Sequence, residues 1–218
     1  MKIELWGDYV CPFCYMGKRH LDIALRELHL TEDVDIKFRS FQLNPEMTGY
    51  SGEGMQELLS RKYNISLGEA GKNLREVGER AERVDLNYNF EIMKPTNTLD
   101  AHRLTKYAET LGKDFALAEN ILKGYFEKGA LISDHDQLLD LAENADLAKP
   151  KVYEVLSNPK AYKDEVMEDI AMAEKLEINS VPYFLINKEH VIPGSESVET
   201  FVITLQKILD MSSDSSVK

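Results

Sequence analysis

Both cysteines of this 218-residue chain lie in one short segment, Cys11-Pro12-Phe13-Cys14. An extended pattern precedes the segment and a helical pattern follows it, so the thiols lie at a predicted helix N-terminus. The first turn of a helix has unpaired backbone N-H groups and a partial positive charge, which favours a sulfur there as a thiolate. This placement predicts a nucleophile at Cys11 and a resolving thiol at Cys14, which attacks a mixed disulfide and releases the product. Pro12 suits the first helical position, where no N-H is needed.

Two other interpretations of a C-x-x-C pair are weaker. A zinc site also uses this spacing, but it needs four ligands and the sequence contains no second cysteine pair. The five histidines show no H-x-x-x-H spacing. We therefore predict no metal site, and an inert buried pair of thiols remains as the structural alternative.

The composition of the chain argues against some classes of function. The chain has 38 acidic and 26 basic residues and a net charge of -12, which argues against nucleic acid and anionic membranes as partners. The start of the sequence alternates apolar and polar residues, unlike a secretory signal, and no stretch approaches the roughly 18 apolar residues of a membrane span. We expect a cytoplasmic protein. A close cysteine pair in that compartment is typically catalytic, redox-sensing or metal-binding.

The hydrophobic pattern predicts an α/β organisation. A first strand at residues 2–8, a helix and a second strand ending near Asn44 form a β-α-β unit. Helical patterns then follow one another from about 52 to 176. A hairpin over 183–192 and a final helix complete the chain. This order predicts a central sheet flanked by helices, with an all-helical insertion between the second and third strands.

Several helix starts can be predicted inside the insertion. Ser66 and Glu69 form a capping-box pattern. Ser133 with Asp136 predicts another helix start, and Pro159 predicts the start of a long helix. The polar residues 212–218 at the other end of the chain predict a disordered tail.

A proline at the start of the third strand is a second candidate site feature. Ser180-Val181-Pro182 precedes that strand, where proline is tolerated at the first position or with an unusual backbone. We predict a cis Val181-Pro182 bond that turns the Val181 backbone toward Cys11, where it can pair with an extended substrate. A trans proline that only starts the strand is the alternative.

Five side chains near the cysteines or on the insertion are candidate substrate contacts. Pro12 borders the cysteines, and Trp6, Tyr9 and Phe13 are predicted to form an apolar rim for an unfolded peptide or a small hydrophobic disulfide. A core position is the alternative for Trp6. His102 is predicted to reach the cleft from the insertion and assist proton transfer. A surface or hydrogen-bonded helical histidine is the alternative for His102.

Three segments together resemble one known superfamily: DYVCPFCYMGK, NTLDAHRL and EINSVPYFLIN. They resemble the DsbA-like thioredoxin superfamily, and within it the FrnE-type cytoplasmic dithiol-disulfide oxidoreductases, which are related to 2-hydroxychromene-2-carboxylate isomerases. The resemblance implies a thioredoxin-like domain formed by 1–50 and 177–211, with 51–176 as the helical insertion. It also implies that Cys11 is the nucleophile, that Cys14 resolves, and that Pro182 is a cis proline beside them.

The sequence departs from the superfamily pattern at two positions. Phe13 replaces the histidine of DsbA and cannot donate a hydrogen bond to the thiolate, so we expect a weaker oxidant. Leu5 occupies the strand position where thioredoxin-like reductases place a buried carboxylate. The sequence thus leaves the proton acceptor for Cys14 unassigned.

Three functions remain open. The first is thiol-disulfide exchange with protein or small-molecule thiols and disulfides, without a metal or organic cofactor and with glutathione as a candidate co-substrate. The second is a glutathione-dependent isomerase of small aromatic substrates, against which the intact Cys14 counts. The third is a peptide-binding module in which the thiols act only as a redox latch.

Overall fold

A mixed β-sheet organises the part of the chain that carries the two cysteines. Residues 1–31 and 33–215, which this computed structural model describes, contain four strands in the order β2-β1-β3-β4. They are β1 (Lys2–Gly7), β2 (Asp35–Ser40), β3 (Tyr183–Ile186) and β4 (His190–Pro193). β1 pairs in parallel with β2 and antiparallel with β3, and β3 forms a hairpin with β4. The sequence predicts these elements in this order.

The helices of the described residues form two groups. α1 (Pro12–Glu27) and α9 (Val198–Ser215) pack against each other and belong to the part that contains the sheet. The others stand between β2 and β3: α2 (Met55–Tyr63), α3 (Leu67–Glu82), α4 (Leu99–Glu109), α5 (Asp114–Lys128), α6 (His135–Glu143), α7 (Lys149–Ser157) and α8 (Lys163–Lys175). The predicted thioredoxin-like α/β fold with a helical insertion is confirmed. No helix of the described ranges combines the length and apolar character needed to cross a membrane.

The ends of the insertion and of the chain can be compared with the predicted segments. The insertion helices run from Met55 to Lys175, inside the bounds of 51–176. The final helix continues to Ser215, beyond position 212 at which the sequence predicts the tail to begin. Residues 216–218 of that predicted tail lie outside the described residues.

The two faces of β1 pack against different helices, because successive side chains of a strand point in opposite directions. Leu5 is fully buried beside its cross-strand partner Phe184, whose ring meets Phe201 of α9 edge-on at 4.9 Å. Trp6 points to the other face, where its Nε1-H donates to the carbonyl of Asp169 in α8 at 3.1 Å. One face of β1 is thus covered by α9 and the other by the last helix of the insertion.

The capping box predicted at the start of α3 is confirmed. Ser66 Oγ accepts a hydrogen bond from the Glu69 N-H at 3.2 Å, and Glu69 Oε2 accepts one from the Ser66 N-H at 2.9 Å. Two backbone donors that the helix itself cannot pair are satisfied in this way.

Two other predicted helix starts are wrong by a few residues. α6 is capped by Asp134 rather than Ser133, because the Asp134 carboxylate accepts the backbone N-H three residues later at 3.0 Å. Pro159 lies in the turn before α8, and that helix begins at Lys163. The residue before Lys163 has a left-handed backbone, with φ of 57°, which separates the turn from the helix.

Arg103 holds the C-terminal end of α7 against α4. Its side chain is 1% exposed, and its guanidinium donates to the carbonyls of Val155, Asn158 and Ala161. A salt bridge to Asp100 balances the buried charge. Arg103 therefore satisfies carbonyl groups that a helix end leaves unpaired.

Asp169 connects the insertion to the sheet through a buried ionic network. Its carboxylate accepts the Ser40 N-H of β2 at 2.8 Å and pairs with Arg39 at 3.2 Å and with Lys106 of α4. Lys106 also pairs with Glu109 at 2.9 Å. Burial alone would raise the pKa of Glu109, but hydrogen bonds from Lys106 and a neighbouring lysine lower it to about 2. Both α4 and α8 are held to β2 by these contacts.

We expect Asp169→Asn to destabilise the protein by about 2 kcal/mol, because the buried Lys106 loses one of its two carboxylate partners and keeps only Glu109. Urea unfolding followed by circular dichroism measures this free energy. Glu168→Gln, an exposed neighbour on α8, is the control and should change stability by less than about 0.5 kcal/mol. Equal effects of the two substitutions would contradict the role assigned to Asp169.

Candidate active site

The two cysteines occupy the first turn of α1, as predicted. Cys11 is the N-cap, with an extended backbone (φ -93°, ψ 112°), and Pro12 follows inside the first turn of the helix. The Cys14 N-H donates to the Cys11 carbonyl at 3.0 Å, and the Cys11 N-H donates to the Asp8 carbonyl at 3.1 Å. Both sulfurs therefore lie at the positive end of the helix dipole, where negative charge is stabilised.

The two free thiols differ in their environment. Cys11 is 4% exposed and Cys14 is completely buried, and a hydrogen bond joins their side chains. Burial raises the pKa of Cys14 well above its ordinary value, and the hydrogen bond with Cys11 raises it further. Within the described ranges, no group of three or more histidine, cysteine or acidic side chains is placed to hold a metal ion. The more accessible thiol is Cys11, as expected, although little of it is exposed.

The Val181-Pro182 segment lies directly beside the nucleophile position. The peptide bond is cis, which confirms the prediction. The Val181 carbonyl oxygen lies 3.6 Å from Cys11 Sγ and accepts a hydrogen bond from the thiol. Pro182 packs on α1 at Gly17, where an added Cβ would come within 2.9 Å of the proline Cγ. This close approach requires glycine at position 17.

Tyr88 fixes the start of α1 from the insertion side. Its hydroxyl donates to the Pro12 carbonyl at 2.7 Å, and its ring stacks on Phe126 with centroids 4.6 Å apart. Burial raises the pKa of Tyr88, so the hydroxyl remains a donor. Nothing in the local sequence indicates this contact, because it joins residues 76 positions apart.

A buried carboxylate, Asp8, lies at the end of β1 beneath the cysteines. Asp8 Oδ1 accepts the Tyr9 N-H at 2.8 Å and lies 3.1 Å from His102 Nε2, while Oδ2 accepts the Leu43 N-H at 2.8 Å. The Asp8 backbone N-H donates to the sulfur of Cys14, and the negative charge of Asp8 raises the pKa of that thiol. Asp8 thus acts electrostatically on Cys14, the predicted resolving thiol.

Sequence reasoning missed Asp8. The superfamily pattern directed attention to Leu5, which is a fully buried apolar core residue. The available signal was an acidic residue between the apolar end of a strand and a C-x-x-C pair, at a position with little access to solvent. Such a carboxylate needs buried partners, and these come from distant parts of the chain.

Tyr9 and His102, which the sequence predicts as substrate contacts, lie beneath the site rather than in the cleft. Both side chains are fully buried, with ring centroids 4.8 Å apart. The Tyr9 hydroxyl bonds to Thr105, and its ring stacks on Phe38 at 5.1 Å. His102 Nδ1 has no hydrogen-bond partner among the described residues. Close packing of these rings keeps them away from the substrate side of Cys11.

A largely apolar cleft of about 430 Å³ opens beside Cys11. Pro12, Phe13 and Val181, three of the predicted substrate contacts, line it. Most of its remaining wall belongs to α2 and α3 and to the aromatic residues facing them: Met55, Leu58, Leu59, Leu74, Val77, Phe90 and Phe126. Among the described lining residues, Lys62 is the only charged side chain. Cys11, the predicted nucleophile, therefore faces an apolar, nearly uncharged space.

Comparison with known proteins places this geometry in a family. Residues 2–206 match the DSBA-like thioredoxin domain. The chain belongs to the DSBA-like thioredoxin domain family. A probable DsbA oxidoreductase from Streptomyces coelicolor, SCO1869, is 30% identical, with a TM-score of 0.88 over 95% of this chain and 89% of that one. The protein YwbO of Bacillus subtilis strain 168 is 25% identical over 201 residues, covering 91% of this chain and 92% of YwbO.

The DSBA-like fold is also shared with an isomerase. A 2-hydroxychromene-2-carboxylate isomerase has a TM-score of 0.73 over 98% of both chains, at 12% identity. An identity this low shows the fold alone. The predicted resemblance is therefore confirmed for the DSBA-like family and its fold.

The buried environment of Cys14 predicts an abnormal titration. In Cys11→Ser, burial still acts on the remaining thiol, so we expect little thiolate absorbance at 240 nm at pH 9, where a cysteine of ordinary pKa about 8.5 is mostly ionised. The Cys11→Ser/Cys14→Ser double variant supplies the tyrosine background. Unfolding the single variant in urea should restore ordinary titration. An ordinary titration curve in the folded single variant would contradict the prediction.

Proposed function

We propose that the chain is a thiol-disulfide oxidoreductase that works through one reversible Cys11-Cys14 disulfide. The observation that carries the proposal is the pair of hydrogen-bonded thiols on the first turn of α1, one beside a cleft and the other sealed behind it. Thiol-disulfide exchange needs both environments. The outer sulfur must contact the substrate, whereas the inner sulfur must contact only the outer sulfur. The name of the similar Streptomyces protein, a probable DsbA oxidoreductase, supports the proposal.

The proposed reaction has two steps. In the reductive direction, the Cys11 thiolate attacks one sulfur of a substrate disulfide, the substrate S-S bond breaks, and the leaving thiolate takes up a proton. Cys14 then loses its proton and attacks the Cys11 sulfur, which forms the internal disulfide and releases the second substrate thiol. Two electrons pass from the protein dithiol to the substrate. The reverse sequence oxidises substrate thiols.

We assign the role of proton acceptor for Cys14 to Asp8. The second step requires a buried thiol with a raised pKa to lose its proton, so a base is needed inside the protein. The Asp8 carboxylate is 1% exposed and acts electrostatically on Cys14. His102 lies 3.1 Å from the same carboxylate and orients it together with two backbone N-H groups.

We further propose that the protein is a FrnE-type enzyme that acts in a reducing compartment such as the cytoplasm. Its partners are protein or small-molecule thiols and disulfides, with glutathione as a co-substrate. Val181 offers backbone groups beside Cys11 for positioning a bound substrate. An isomerase of the 2-hydroxychromene-2-carboxylate type shares the fold, but it does not account for the sealed second thiol at Cys14.

The redox couple predicts a defined set of products in glutathione buffers. Wild-type protein should form the Cys11-Cys14 disulfide reversibly, as counted by thiol alkylation and mass spectrometry. Cys14→Ser should accumulate a mixed disulfide with glutathione at Cys11, because the resolving step is removed. Cys11→Ser should react at least about tenfold more slowly, since its remaining thiol is buried. Failure to form an internal disulfide at any redox poise would overturn the proposed function.

Asp8→Asn is expected to slow the resolving step by about 100-fold and leave formation of the mixed disulfide within about twofold. Stopped-flow measurement with a chromogenic disulfide separates the two steps. The rate of resolution in the variant should rise with pH, because hydroxide replaces the missing base, whereas a purely structural defect would persist at high pH.

Asp114→Asn is the matched control for this experiment. Asp114 is also buried, and its carboxylate accepts the backbone N-H of Phe38 at 3.0 Å. Its substitution should leave the resolving step unchanged. Equal slowing in both variants, or an effect of Asp8→Asn that is independent of pH, would contradict the proton-acceptor role.

A further inference from the structure

We infer that the cleft beside Cys11 selects low-molecular-weight disulfides that carry an apolar body and an anionic group. The inference deepens the proposed function and rests on it, because it names the substrate class of the same thiol. Three features of the described residues support it: the limited access to Cys11, the size and apolar lining of the cleft, and one positively charged side chain in that lining.

Access to the nucleophile is the first feature. Cys11 is only 4% exposed, and the adjoining Val181 is 9% exposed. Pro182 packs closely on α1, which closes the space between the proline and that helix. The low exposure of Cys11 hinders a disulfide held on the surface of a folded protein more than a small disulfide that fits the cleft lined by Cys11.

The size and lining of the cleft are the second feature. Its volume of about 430 Å³ lies within the range of about 300 to 1,000 Å³ typical of small-molecule sites. The walls contributed by α2 and α3 include Leu58, Leu59, Leu74 and Val77. Burying an apolar group against such walls is favourable because it removes apolar surface from water. An aryl or alkyl body therefore gains affinity that a polar disulfide does not.

A positive charge in the lining is the third feature. Lys62 lies in the cleft wall, where the other described residues are uncharged. A ligand with a carboxylate can pair with this ammonium group. The Tyr125 hydroxyl has no hydrogen-bond partner among the described residues, but protein atoms enclose it and we assign it no ligand.

The reaction balances without any further reagent in a single turnover. Reduced protein and one substrate disulfide give the Cys11-Cys14 disulfide and two substrate thiols. The two protons of the protein thiols pass to the two departing substrate sulfurs. The substrate disulfide is the oxidant, and the protein dithiol is oxidised.

The test measures single-turnover rate constants of the reduced protein with two small probes. The first is para-linked dithiodibenzoate, an aryl disulfide with carboxylates, and the second is hydroxyethyl disulfide, which is small and uncharged. The quantity compared among variants is the ratio of the two rate constants, because the intrinsic difference in leaving groups is the same for every variant. Insulin serves as the probe for a disulfide on a folded protein.

Two substitutions in the cleft should lower this ratio. Val77→Trp fills the space and should reduce the ratio by about tenfold or more, as the loss of an apolar pocket does. Lys62→Gln, at an exposed position, should reduce the ratio by about threefold, because it removes one partly exposed ion pair with the ligand. Lys72→Gln is the matched control on α3, where the lysine is 70% exposed and pairs with Glu76 outside the cleft lining. It should leave the ratio unchanged.

The outcomes separate the two proposals. A fall of the ratio in Lys62→Gln and Val77→Trp, but not in Lys72→Gln, supports the substrate class. If Val77→Trp fails to fold, the difference in the ratio between Lys62→Gln and Lys72→Gln still tests the proposed substrate class. A ratio unaffected by the cleft substitutions, or insulin reduced as fast as dithiodibenzoate, overturns the substrate class and leaves the redox couple intact. Absence of the Cys11-Cys14 disulfide with every probe overturns the proposed function, and the substrate inference with it.

Discussion

The buried carboxylate of Asp8 is the interaction on which the arrangement of the site depends. It joins three separate parts of the chain: the end of β1, the loop after β2 through Leu43, and α4 through His102. An unpaired carboxylate at this depth would be costly, so its hydrogen bonds hold these segments in fixed positions. The same group acts on the charge of Cys14. One side chain therefore links the architecture of the insertion to the chemistry of the second thiol.

A difference in environment between two neighbouring sulfurs is the second constraint. Cys11 and Cys14 share one helical turn, yet only Cys11 adjoins the cleft. The helix N-terminus favours negative charge near both sulfurs, while burial opposes ionisation of the inner one. This opposition orders the proposed reaction, because the outer sulfur can react before the inner sulfur is deprotonated. Tyr88 and Pro182 contact α1 from two directions, at Pro12 and at Gly17.

Features that depend on neighbouring residues could be predicted from the sequence. The C-x-x-C pair at a helix start, the hairpin at 183–192 and the capping box at Ser66 are local patterns, and the structure contains all of them. Each of these follows from backbone chemistry within a few residues. The cis Val181-Pro182 bond was predicted from a proline at the start of a strand together with the distant C-x-x-C pair.

Features that depend on distant residues could not be predicted in this way. Asp8 obtains one of its partners from 94 positions away, and Tyr88 reaches Pro12 across 76. Tyr9 and His102 appeared to be cleft residues because their types suit substrate contact, but mutual packing buries both. Even the start of α6 differed by one residue, since serine and aspartate both cap helices well and only the folded backbone decides between them.

The residues that form the cleft walls and the residues that carry the sulfurs come from different parts of the sequence, so each set can be altered separately. The sulfurs and Asp8 belong to the first 14 residues, whereas much of the apolar lining comes from α2 and α3, which pack chiefly against each other. The proposed electron transfer and the proposed ligand choice thus depend on different stretches of sequence. On this proposal, replacement of the helical pair at 55–82 would change the molecules that are bound while the sulfur chemistry stayed the same.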